Sequence, residues 1–96
     1  ANFSGKINVA RAMGLIDVAT RRDLHAIRGL RNLLAHADRP VHFTSPEVIE
    51  KAKRLFAQDW EEGSRVRVLF DAATGRAEMA INAKIDSLNY EQATRA

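Results

Sequence analysis

The polar side chains able to do chemistry crowd into residues 25–36, where His25, Arg28, Arg31, Asn32 and His36 stand among leucines and alanines. An imidazole can take or give a proton near neutral pH, and a guanidinium holds an anionic oxygen in a fixed fork. Spacing limits what they can do together. Arg31 and His36 are five positions apart, which puts them roughly 140° apart around a helix, so they cannot form one site on a single straight face. On the same wheel Arg31 falls inside the apolar arc of Leu24, Ile27, Leu34 and Ala35, while His25, Asn32 and His36 make a narrow polar stripe beside it. An unpaired buried guanidinium is very costly, so Arg31 must find an acceptor or stay at an edge. The expected arrangement is a polar cluster between helices or subunits, made of His25, Arg28, Arg31, Asn32 and His36.

Other chemistries are not supported by residue type or spacing. His25 and His36 lie about 16 Å apart along a helix axis and cannot share an ion. His42 could approach His36 through a turn, but no acidic residue stands at a ligand spacing, so no metal is expected. No glycine-rich phosphate loop, no Gly-x-Ser-x-Gly elbow and no His-Glu-x-x-His signature occurs, and no cofactor is implied. Glu61 and Glu62 read as a solvated helix end rather than a catalytic carboxylate pair. The chain has no cysteine, which excludes disulfides, thiolate metal sites and a cysteine nucleophile.

Those residues need a scaffold, and 96 residues suffice for one domain over 1–96. A chain this short removes only about 60–65% of its unfolded surface on folding, so a homodimer is expected to complete the core. The hydrophobic fraction of 46% and the charged fraction of 28% belong to an ordinary globular protein. The net charge of +3 is scattered over small clusters such as Arg21-Arg22 and Arg65/Arg67, so nucleic acid is compatible with the composition but not indicated by it. No apolar run reaches the roughly 18–20 residues that cross a bilayer, and the amino end has no signal-peptide core; no membrane association and a cytoplasmic location are expected. The chain does not begin with Met, which is compatible with processing or with a fragment lacking upstream helices.

Periodicity gives an all-α bundle of about four helices. Ile7, Val9, Ala10 and Met13 recur at helical spacing over about 4–13, with Gly14 to close. Thr20-Arg21-Arg22-Asp23 reads as a capping box that opens a second helix, carrying Leu24, Ile27, Leu30 and Leu34 and ending near Ala37, where Asp38-Arg39-Pro40 follows. Ser45-Pro46-Glu47 opens a third helix that runs through Val48, Ile49, Ala52, Leu55 and Phe56 to about Trp60, closed by Glu61-Glu62-Gly63. The last segment carries two patterns. Val66, Phe70, Ala73, Ala77, Ile81, Ile85 and Leu88 recur every three or four residues, while Val66/Val68/Phe70 and Ala77/Met79/Ile81 alternate. A fourth helix is favoured, with three helices plus a C-terminal β-hairpin over 65–88 as the alternative. Gly75 is the weak point of the helix, and residues after Asn89 are expected to fray.

The runs Phe3-Ser4-Gly5-Lys6, Ala10 to Ile16, Asp23 to His36 and Phe43 to Val48 together resemble the mannitol operon repressor family over the first half of the chain. The resemblance implies an all-helical transcriptional regulator without a recognised DNA-reading module, acting through another regulatory protein. Family members usually carry further helices before the Phe-Ser run. Arg31-Asn32-x-x-Ala35-His36 is also similar to the Arg-x4-His signature of the HEPN helical superfamily. That similarity implies the alternative of a metal-independent endoribonuclease in which Arg31 and His36 of two chains meet in a shared cleft, or of a non-catalytic, toxin–antitoxin-like partner-binding module. A regulator without enzymatic activity is the favoured expectation.

Overall fold

The computed structural model describes residues 17–94, with side chains to residue 93. They form three helices and no strand: α1 (Val18–His36), α2 (Pro46–Leu55) and α3 (Val66–Thr94). The helix expected over 4–13 lies outside the described residues, so the architecture seen is an all-α one of three helices.

The start of α1 differs from the capping box expected at Thr20. Asp17 is the cap: its Oδ1 accepts the Thr20 N–H at 2.7 Å and its carbonyl accepts from Arg21 N at 2.9 Å. Thr20 is buried instead. With Leu24 and Ile27 it continues the i, i+4, i+7 stripe of the core, so the helix must already be wound when the chain reaches it. Asp23, freed from any capping role, crosses to α3. Its two carboxylate oxygens accept Arg76 Nε at 3.0 Å and Nη2 at 2.8 Å.

Ser45 caps α2 as the sequence indicates, but its side chain is used one turn earlier. Its Oγ accepts the His42 N–H at 2.9 Å while its own N–H donates to the His42 carbonyl at 3.0 Å. Glu61 and Ser64 repeat the same reciprocal pair, at 2.9 and 3.0 Å, just before α3. α2 stops at Leu55, short of the expected Trp60. Phe56 is buried at the point of exit and Asp59 N–H returns to the Phe56 carbonyl, so a tight turn replaces the last helical turn. Gly63, at φ +84°, completes the reversal toward α3.

α3 runs unbroken through Gly75, which excludes the hairpin alternative. Burial follows the helical repeat: Val66, Ala73, Ala77 and Ile81 are buried, with Phe70 and Ile85 half-buried on the same side. Val68 and Met79, members of the alternating pattern, are 60% and 74% exposed. The expected fraying after Asn89 is also not seen, since the helix continues to Thr94; Glu91, Gln92 and Ala93 are good helix formers.

α1 is the central helix and packs on both others, while α2 and α3 touch each other little. α1 and α3 are antiparallel, as the Asp23–Arg76 pair and the proximity of Asp17 to Lys84, about two turns further along α3, require. α2 approaches α1 closely at Gly29, where a Cβ would come within 2.8 Å of the Leu55 Cδ1. Ile27, Leu30 and Val48 are the largest fully buried side chains; each contributes about 1.5–3 kcal/mol on leaving water. A tilted contact between Phe43 and Phe70, ring centroids 5.3 Å apart, ties the α1–α2 linker to α3.

Candidate functional site

α1 positions the polar residues singled out above, and its two packed sides leave one side free. Leu24, Ala26, Ile27 and Leu30 are occupied by the core, whereas His25, Arg28, Asn32 and His36 are all exposed. At about 100° per residue these four fall within an arc of about 80°. Arg21, which was not singled out from the sequence, belongs to the same arc and is also exposed. Its signal was the 4-3-4-4 spacing that continues back from His25. The face is therefore Arg21, His25, Arg28, Asn32 and His36, about 22 Å long by helical rise. It carries no acidic side chain: Asp17 is committed to the cap and Asp23 to Arg76.

Arg31 lies about 60° outside this face, on the side of Leu24 and Ile27. It is nonetheless exposed, and it keeps an interaction with a neighbour. Leu24 and Ile27, on either side of it around the helix, are buried, and a long side chain at a helix edge can keep its charged head in water. Arg31 and His36 thus reach solvent on different sides of α1. Within one chain they do not converge on a point where a phosphodiester could be attacked. Among the described residues, no group of three or more His, Asp or Glu side chains is placed to hold a metal ion. No helix among them is long and apolar enough to cross a membrane.

Several other charges among the described residues are paired. Arg39 pairs with Glu47 at 2.8 Å, Lys53 with Glu50 at 3.4 Å and Arg67 with Asp71 at 3.7 Å. Arg22 donates to Gln58. The bidentate contact with Asp23 pushes the Arg76 pKa above its ordinary value. At the cap, the Thr20 backbone N–H and hydroxyl hold the Asp17 carboxyl below its usual 3.8.

A second exposed surface was not recognised from the sequence. Val68, Met79 and Tyr90 are 60%, 74% and 71% exposed. They are eleven residues apart, three helical turns each, so they stand in one line on α3, directly across from the buried stripe of Phe70, Ala73, Ala77 and Ile81. Ala72, Gly75, Asn82, Ala83 and Asp86 fill the line between them, with Asp86 its one charge. The signal was present as an apolar repeat on two opposite faces of one helix, a pattern that in a surface helix calls for a second covering partner.

The chain matches no protein-family model, and neither a curated protein nor a solved structure matches it.

Proposed function

We propose that this chain is a non-catalytic regulatory domain of the mannitol operon repressor type, working through protein–protein contacts and pairing with a second copy of itself along α3. The observation that supports this is the outward line of Val68, Met79 and Tyr90 on the helix whose other side already forms the core. The line is symmetric about Met79: Val68 and Tyr90 lie eleven residues away on either side, and Gly75 and Ala83 four. A two-fold axis at Met79 therefore sets Val68 against the partner's Tyr90 and lets the backbones approach where Gly75 meets the partner's Ala83, which is the self-complementarity that a symmetric dimer needs. The contact would be about 33 Å long. Two such helix faces withdraw on the order of 1,200 Å² in total, the low end of specific interfaces, so the dimer should dissociate on dilution.

Sedimentation across a wide dilution series tests the pairing. The wild-type mass should fall from that of two chains to that of one, and Met79→Glu should be monomeric throughout with unchanged helicity, since Met79 is 74% exposed. A wild-type chain that stays monomeric at the highest concentration would remove the self-pairing. Incubation of wild type and His36→Ala with single-stranded RNA in chelator separates the regulator from a nuclease. No cleavage by either is expected, and cleavage lost in the variant would replace the regulatory assignment.

A further inference from the structure

The two linkers and the ends of the three helices enclose a half-open cavity of about 660 Å³. Its apolar wall is built by Leu34 at the end of α1, Val41 and Phe43 from the first linker, Ile49 from α2 and Trp60 from the second linker. All five are only half-buried, so each still offers apolar surface to the space between them. The walls are held apart by covalently local structure. The turn closed by Ser45 carries Val41 to Thr44, the turn closed by Ser64 carries the chain past Trp60, and Phe43 is braced against Phe70. The volume is within the range of about 300–1,000 Å³ usual for small-molecule sites.

The polar part of the lining holds two cations, Arg65 and Arg67, beside the hydroxyls of Thr44 and Ser64. His42 contributes to it as well, and none of the twelve acidic residues of the chain does. Arg65 is exposed and has no carboxylate partner among the described residues, and Arg67 holds Asp71 only at 3.7 Å. A cleft with low-dielectric walls and cations of one sign focuses a positive potential on its contents. An apolar wall with an aromatic face and a cationic rim are together complementary to a molecule that is flat and apolar at one end and anionic at the other.

We infer that this cavity binds a small aromatic carboxylate, its ring beside Trp60 and its carboxylate toward Arg65 and Arg67. The inference stands apart from self-pairing along α3, and Met79→Glu should leave it intact.

Trp60 is the only tryptophan, so its indole N–H gives a single nuclear magnetic resonance signal at the wall of the site. Titration with 1-naphthoate should move that signal saturably. The neutral 1-naphthamide should bind about ten-fold more weakly, the scale of one contact to a charged group. In Arg65→Gln/Arg67→Gln, whose substituted side chains are exposed, the acid should fall to the affinity of the amide without loss of melting temperature. Equal affinity of acid and amide for the wild type would overturn the inference. So would an indole signal that stays still to the solubility limit, or an acid affinity that the double variant leaves unchanged.

Discussion

At the scale of single residues, the glycines of the helices show how the same substitution takes different values in different surroundings. Gly75 lies inside α3 with nothing within 4 Å of where a Cβ would stand. Alanine there removes backbone freedom from the unfolded chain and meets no obstacle within its own chain, so in protein dilute enough to be monomeric Gly75→Ala should stabilise by about 0.5–1 kcal/mol. Gly29 has the same intrinsic handicap in α1, but its missing Cβ is occupied by the Leu55 side chain at 2.8 Å. Gly29→Ala should therefore gain less than Gly75→Ala, because Leu55 must swing aside. Thermal melts of the two variants check the order, and a larger gain at Gly29 would contradict the close packing of α2. The site residues were legible to a similar, partial degree. The stripe of His25, Asn32 and His36 follows from spacing alone, whereas the exposure of Arg31, flanked around the helix by buried Leu24 and Ile27, belongs to tertiary packing, which no single-helix wheel contains.

At the scale of elements, the helix cap is the clearest case. Thr20 and Asp17 are both good caps by type, and only the tertiary need to bury Thr20 with Leu24 and Ile27 decides between them. Asp17→Ala should lower the melting temperature by several degrees, while Asp17→Asn, an equivalent cap, should nearly keep it at neutral pH. The sign of the acid dependence follows from the lowered pKa of Asp17. A carboxyl that is more acidic folded than unfolded contributes stability above its ordinary pKa and loses it as the pH falls through the folded value. The advantage of wild type over Asp17→Ala should thus be largest above the ordinary carboxyl value of 3.8 and shrink as the pH falls through the lower folded value, to what a neutral carboxyl oxygen still contributes as an acceptor. Melting curves of both across that range test this; an advantage that does not shrink at all in acid would mean that the ionised carboxylate is not the capping acceptor. The long α3 was legible because its 3.6-residue repeat, from Val66 to Leu88, extends over about six turns. Its competing alternation came from Val68 and Met79, residues on the outward line. The early end of α2 was not legible, because Phe56 and Trp60 fit a helical stripe equally well and the turn that separates them is set by the return to α3.

At the scale of the whole molecule, α1 is the spine, α3 its longer antiparallel companion, and α2 a short buttress on the other side. The all-α class and most helix positions follow from periodicity, while the packing of α2 and α3 on a central α1 does not, since each helix shows only that it has an apolar stripe. The Asp23–Arg76 pair joins positions 53 residues apart, whereas Gly29 and Leu55 meet across half that span. Closing the longer loop costs more chain entropy and its reward comes late. The α1–α2 hairpin should therefore assemble first, and α3 should dock onto it near the end of folding. Asp23→Asn should accordingly leave the refolding rate nearly unchanged and speed unfolding about two- to five-fold, as expected for losing about 0.5–1 kcal/mol after the barrier. A stopped-flow chevron in which the refolding arm slows instead would place the α1–α3 contact in the nucleus. During synthesis the same geometry has a direct outcome: the hairpin can form while α3 is still inside the ribosome, and its apolar seam stays bare until the final helix emerges to cover it.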